Sequence, residues 1–165
     1  APLVKGESIA VNGCCLTVVE FEPELRFDLS EETIRRTALG SLHEGSPIHL
    51  ERAMQMTDRF GGHFVLGHVD DTAEIVGRNE NETALRLRFR IDPRYSPLII
   101  DKGSIALDGV SLTVVDPNET EFDVHLVPYT LQATNLGLLG LGDRVNIEFD
   151  VLAKHVQKLT VIKPS

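Results

Sequence analysis

From Ser8 to Val19 the chain alternates apolar and polar positions and is rich in β-branched residues, and Asn12-Gly13 interrupts the run with a tight turn or a bulge. This pattern predicts two short strands or one kinked strand. After a charged turn at 20–24, residues 25–29 read as a strand and 31–39 as a short helix, with Ser30 as N-cap, acids in the first turn and Gly40 just past the end. Residues 48–53 close the unit as another strand. A polar turn at 79–82 then leads into the cleanest half-buried strand, where Leu85, Leu87, Phe89 and Ile91 alternate with Arg86, Arg88 and Arg90, whose side chains are expected in solvent. Pro93 to Pro97 breaks that pattern. Strands are predicted again at 104–115, 121–126 and 144–149, with a turn at 117–119, a helix from Pro128 to just before Gly137, and an amphipathic tail at 150–159.

The second set of elements is a copy of the first. KGSIALDGVSLTVV at 102–115 repeats KGESIAVNGCCLTVV, and aligning Ser8–Val19 with Ser104–Val115, an offset of 96, leaves eight of twelve positions identical. A second block aligns at an offset of 97, pairing Thr33 with Thr130, Thr37 with Thr134, Gly40 with Gly137 and Glu51 with Glu148. That period is too long for a solenoid repeat and points to an ancient duplication into two similar domains, residues 1–62 and 63–165. Many short strands with one short helix per copy imply an all-β fold of two antiparallel barrels in tandem. The strands at 63–100 have no counterpart ahead of the first copy, so the first barrel is expected to be incomplete, in a shortened chain or one completed otherwise. Its open edges would be a liability in solution.

Composition narrows the partners. A net charge of −9 and a pI near 5.1 argue against nucleic acid or an anionic membrane as the main partner. No run approaches the roughly 18 apolar residues of a membrane span, no signal peptide opens the chain, and the adjacent Cys14 and Cys15 cannot form an ordinary disulfide. A reducing, cytoplasmic setting is expected.

Alternation also locates candidate chemistry. If Val110, Leu112 and Val114 face a barrel core, Ser111 and Thr113 face outward, as do Cys15 and Thr17 in the twin strand. One Ser-x-Thr would be an ordinary solvated face; its appearance in both copies points to a site on each barrel. FGGHFVLGHVDD at 60–71 is the most unusual stretch, but His63 and His68 with Asp70 and Asp71 match no standard zinc spacing, and no metal site is expected. His43 and His49 are expected to be exposed loop and strand residues, and Asp150 to be either a site residue or the cap of the tail.

The paired NGCCLTV and DGVSLTV strands, the ETIRRTALG and YTLQATNLG helices, GGHFVLGHVD and the closing VNIEFDVLAKHV together resemble riboflavin synthase of the α-chain type over essentially the whole chain. The resemblance implies two six-stranded Greek-key β-barrels related by a pseudo-twofold axis. It further implies a homotrimer with each active site between barrels of neighbouring subunits, and an association with lumazine synthase. The implied reaction is the last step of riboflavin biosynthesis, a transferase reaction without a cofactor. Two molecules of 6,7-dimethyl-8-ribityllumazine react, one giving a four-carbon unit to the other, to yield riboflavin and 5-amino-6-ribitylaminouracil. Much of the rate should come from holding two rings stacked and aligned.

By the same resemblance, substrate contacts in the first barrel fall on Cys15, Leu16 and Thr17, then on Asp28, Leu29 and Ser30, with Glu31, Glu32 and Thr33 following. Gly67, His68 and Val69 lie nearby in the sequence. In the second barrel they fall on Lys102, on Ser111, Leu112 and Thr113, and on His125, Leu126, Val127, Pro128, Tyr129 and Thr130. The expected chemical residues are Cys15, His68, Ser111 and Asp150. His68 would take the proton of the substrate's acidic C7 methyl, Ser111 or Cys15 would donate a hydrogen bond or add to a ring carbon, and Asp150 would orient Ser111.

Three departures matter. The family's Met-Phe-Thr-Gly-Ile-Val opening strand is not present, Tyr129 stands where the second helix usually starts with Glu, and the tail beyond Asp150 is short. The second barrel's site is therefore expected to be intact and the first compromised, and two equally tight lumazine sites would contradict this. The rival readings are a non-catalytic lumazine or flavin antenna protein and a structural β-barrel module that binds no small molecule.

Overall fold

The computed structural model describes residues 2–80 and 84–161. It is built of ten strands and three short α-helices, joined by 3-10 turns. The first copy supplies β1 (Ser8–Val11), β2 (Cys14–Glu20), β3 (Arg26–Phe27), α1 (Glu31–Arg36) and β4 (Leu50–Arg52). Two strands follow with no counterpart among residues 2–62, β5 (Asp71–Glu80) and β6 (Leu85–Arg90). The second copy then gives β7 (Ser104–Leu107), β8 (Val110–Thr113), β9 (Glu121–Leu126), α2 (Pro128–Ala133) and β10 (Arg144–Phe149), and α3 (Val151–Val161) follows. Of the expected turn at 79–82, positions 81 and 82 lie outside the described residues, while Asn79 and Glu80 extend β5.

The second copy makes a six-stranded antiparallel sheet in the order β8-β7-β10-β5-β6-β9. Reciprocal backbone bonds of 2.8 Å between Val115 and Asp123 join its two edges and close the barrel. Alternation fills it: Leu85, Leu87, Phe89, Ile105, Leu107, Phe122, Val124, Leu126, Val145, Ile147 and Phe149 are all buried in one cluster. The first copy repeats only four of these strands, in the order β3-β2-β1-β4. The effect shows at twin positions: Ile147 on β10 is 0% exposed, whereas its equivalent Leu50 on β4 is 53% exposed. The chain is thus all-β, one barrel closed and one open, as the repeat implied.

Several boundaries differ from the sequence pattern. The expected helix over 31–39 stops at Arg36, because Thr37 turns extended and its hydroxyl donates to the Thr33 carbonyl at 2.7 Å. Thr134 does the same to Thr130 at 2.7 Å at the end of α2. Gly40 and Gly137 therefore sit not at helix ends but in 3-10 turns, where a β-carbon would lie 3.0 Å from Ile34 Cγ2 and from Leu131 Cδ2 respectively. The expected strand at 25–29 shrinks to Arg26–Phe27, while Ser30 caps α1 by accepting the Thr33 N–H at 3.0 Å. Arg86 and Arg88 are not simply solvated, since both hold the buried carboxylate of Asp123.

The two copies meet at their hairpin turns. Asn12 and Asp108 both have positive φ (44° and 46°), and a β-carbon on Gly13 would lie 2.3 Å from the Gly109 nitrogen. Only glycine allows this approach. Here His49 proves not to be an exposed residue. Its Nδ1 donates to the Asp108 carbonyl (2.9 Å) and its Nε2 accepts the Asn135 N–H (2.9 Å). At the twin position Asn146 donates through Nδ2 to the Asn12 carbonyl (2.7 Å) and accepts the Ala38 N–H through Oδ1 (2.6 Å). An imidazole on one side and an amide on the other thus make the same pair of bonds.

Candidate active site

The outward faces of β2 and β8 carry the twin residues Cys15 and Ser111, both exposed as alternation predicted. The glycine-rich segment 60–67 lies across both. A β-carbon on Gly62 would sit 2.5 Å from Ser111 Oγ, and one on Gly67 would sit 2.6 Å from Cys15 Cβ. Both glycines also have positive φ, 85° and 77°. Each glycine is therefore required twice over, by backbone conformation and by close approach. Between them His63 Nδ1 lies 2.8 Å from Ser111 Oγ, and Gly67 O accepts the Cys15 N–H at 2.8 Å. Phe60 and Phe64 pack nearby with ring centroids 4.6 Å apart and planes tilted by 39°.

Together these residues line a cavity of about 420 Å³ that also takes in Ala10, Met54 and Leu66. A larger neighbouring depression of about 540 Å³, bounded by Glu7, Arg52, Asp58 and Arg59, contains none of the residues expected from the sequence. The electrostatics favour a neutral His63. Burial pushes its pKa down, and the negative charges of Asp150 and Glu148 only partly offset that. Its Nε2 is buried and finds no hydrogen-bond partner among the described residues. A neutral imidazole can take the Ser111 proton, or share it, through Nδ1. Burial raises the Cys14 thiol, leaving Cys15 as the exposed sulfur of the pair.

Of the expected chemical residues, Cys15 and Ser111 share this cavity, and Gly67 joins them. The histidine on Ser111 is His63, five residues before the expected His68, which is exposed on the following turn. Asp150 does not bond Ser111 here. Its Oδ1 caps α3 by accepting the Leu152 N–H at 2.9 Å, and its charge acts on His63. Thr17 and Thr113 are exposed beside the cavity strands, whereas Leu16 turns inward. Asp28, Leu29, Ser30, Glu31, Glu32 and Thr33 form the entry and first turn of α1, and Val127, Pro128, Tyr129 and Thr130 the entry of α2, at equivalent places of the two copies. His125 is exposed on β9, Leu126 is buried in the core, and Lys102 has a positive φ of 60° at the turn into β7. Val69 packs on the first copy's small core.

His63, Phe60, Phe64 and Glu148 were not among the expected site residues. The double glycine just before His63 was the available signal, since it marks backbone passing close to something. The Asp70 and Asp71 carboxylates, close to both histidines in the sequence, are engaged elsewhere. Asp70 accepts the Phe149 N–H (2.9 Å) and pairs with Lys154, and Asp71 pairs with Arg94. Among the described residues no group of three or more His, Cys, Asp or Glu side chains is arranged to hold a metal, and no helix is long and apolar enough to cross a membrane.

The lumazine binding domain family matches residues 2–53 of this double-barrel chain and again 66–150. The chain is 44% identical over 161 residues to riboflavin synthase of Actinobacillus pleuropneumoniae, covering 97% of this chain and 75% of the relative. It is 43% identical over 154 residues to riboflavin synthase of Bacillus subtilis, covering 93% and 72%. Among solved structures, LumP complexed with riboflavin superposes with a TM-score of 0.82 at 26% identity, over 89% of this chain and 80% of that one. LumP complexed with 6,7-dimethyl-8-(1'-D-ribityl) lumazine gives 0.79 at the same identity. The chain belongs to the riboflavin synthase family.

Proposed function

We propose that the protein is a riboflavin synthase: a cofactor-free transferase that dismutates two 6,7-dimethyl-8-ribityllumazine molecules into riboflavin and 5-amino-6-ribitylaminouracil. The observation that carries this reading is the His63–Ser111 pair at 2.8 Å beside exposed Cys15, in a cavity where Phe60, Phe64, Met54 and Leu66 line the wall together with Glu51 and Arg52. Stacking the rings demands apolar walls, and moving a methyl proton demands a neutral base near a small donor. His63, which lies on Ser111, serves as that base in this reading. Ser111 donates a hydrogen bond to a ring heteroatom, or adds to a ring carbon as its proton passes to His63, and Cys15 does the equivalent work at the twin position. Asp150 tunes His63 through its charge.

Units 1–62 and 63–165 each take one lumazine, with the more weakly held one on the open first barrel, and the α1 and α2 entries contact the ribityl chains. The protein works as a homotrimer. Leu152, Val156 and Leu159 support this, because they lay one exposed apolar stripe along α3. An association with lumazine synthase, which would hand over the substrate, belongs to the same reading.

The likeness to LumP favours one alternative, a lumazine or flavin antenna that binds without turnover. The two separate on one assay. The wild-type protein should form riboflavin, and Ser111→Ala should still bind lumazine while its kcat falls about a hundredfold or more. Binding without riboflavin formation by the wild type would favour the antenna.

A further inference from the structure

We propose that Glu148 is the positioning residue of this site, a carboxylate that holds the bend at 62–67 and so sets His63 on Ser111 and ties Cys15 down. The inference rests on the riboflavin synthase reading for its kinetic consequence and on geometry alone for the rest. Glu148 projects from the outer face of β10 beside Asn146 and is only 3% exposed. Its two oxygens are spent on consecutive backbone donors of one bend: Oε1 accepts the Leu66 N–H at 2.8 Å and Oε2 accepts the Gly67 N–H at 2.9 Å. The Gly67 carbonyl then accepts the Cys15 N–H on β2. A continuous set of bonds therefore runs from the closed barrel, through the bend, to the open one.

The same bend carries His63, whose ring must stay within 2.8 Å of Ser111. A buried carboxylate bonded to two N–H groups holds its partners more firmly than neutral bonds would. The requirement is not one of the strand itself, because β10 stays paired to β5 and β7 through its backbone whatever side chain stands at 148. Nor is it one of the repeat, because the twin Glu51 lines the cavity instead. Glutamine at 148 would keep one acceptor and turn an NH2 group against the other N–H, releasing the bend.

Two readouts test this on Glu148→Gln. Kinetically, kcat for riboflavin formation should fall about a hundredfold with KM changed less than about threefold, as expected when reacting groups are misplaced rather than binding lost. Independently of turnover, Cys15 should react with a disulfide reagent about tenfold faster in the variant, as Gly67 lifts away, while buried Cys14 stays silent. If the wild type forms no riboflavin, the functional reading fails and the thiol rate alone decides the positioning claim. If Glu148→Gln does not fold, Glu148→Asp keeps the charge but falls one methylene short. It should likewise lower kcat with little change in KM and speed Cys15 labelling. Wild-type kcat and an unchanged Cys15 rate in either folded variant would overturn the proposal.

Discussion

At the scale of single residues, the twin positions 15 and 111 show what the sequence carries and what it does not. A period of two and a repeat of 96 sufficed to turn Cys15 and Ser111 outward together. Neither could say which histidine of His63 and His68 reaches Ser111, because that depends on how 60–67 crosses the strands, and a loop has no period. Asp108 illustrates a different burial effect. Its twin is Asn12, and burial pushes the Asp108 carboxyl up to about 7, although the Asn146 N–H on Oδ1 works the other way. Between about pH 4 and 7 the folded chain therefore keeps a proton that the unfolded chain has lost, and stability falls as pH rises through that window. Asp108→Asn copies the residue already accepted at the twin turn, with the same positive φ. It should raise the unfolding free energy by a few kcal/mol above pH 7, at ~1.4 kcal/mol for each tenfold change in proton affinity on folding, with the gain vanishing near pH 4. Urea titrations at the two pH values read this directly, and a gain that is equal at both would mean the carboxyl is not the cause.

Elements were legible wherever periodicity alone defines them. β9 and β10 fall on their predicted spans, 121–126 and 144–149. Helix ends were not, because a threonine hydroxyl closing onto the carbonyl four residues back ended α1 and α2 before their glycines. The twin strands β4 and β10 hid more. His49 and Asn146 differ in identity, so the alignment passes over them, yet each spans one carbonyl and one N–H of the opposite copy. His49 can do so only as the neutral Nδ1–H tautomer. His49→Asn should then leave thermal stability nearly unchanged, while His49→Leu, which strands both partners, should cost about 2 to 4 kcal/mol. Equal losses in the two variants would show that the ring's shape, not its bonds, joins the copies.

The whole molecule is a duplication whose halves have diverged unevenly. One barrel is closed around three buried phenylalanines; the other leaves Leu50 half in solvent. What joins them is polar and local: two facing glycine turns, the His49 and Asn146 bonds, and the Glu148 bend that brings Cys15 and Ser111 under one loop. A duplicated fold is of most use to a reaction that consumes two copies of one molecule. The direct test is stoichiometry. With excess 6,7-dimethyl-8-ribityllumazine, the account predicts one riboflavin formed for every two lumazines consumed, continuing over many turnovers without added cofactor. Lumazine that is bound tightly and recovered unchanged, with no riboflavin formed, would contradict it.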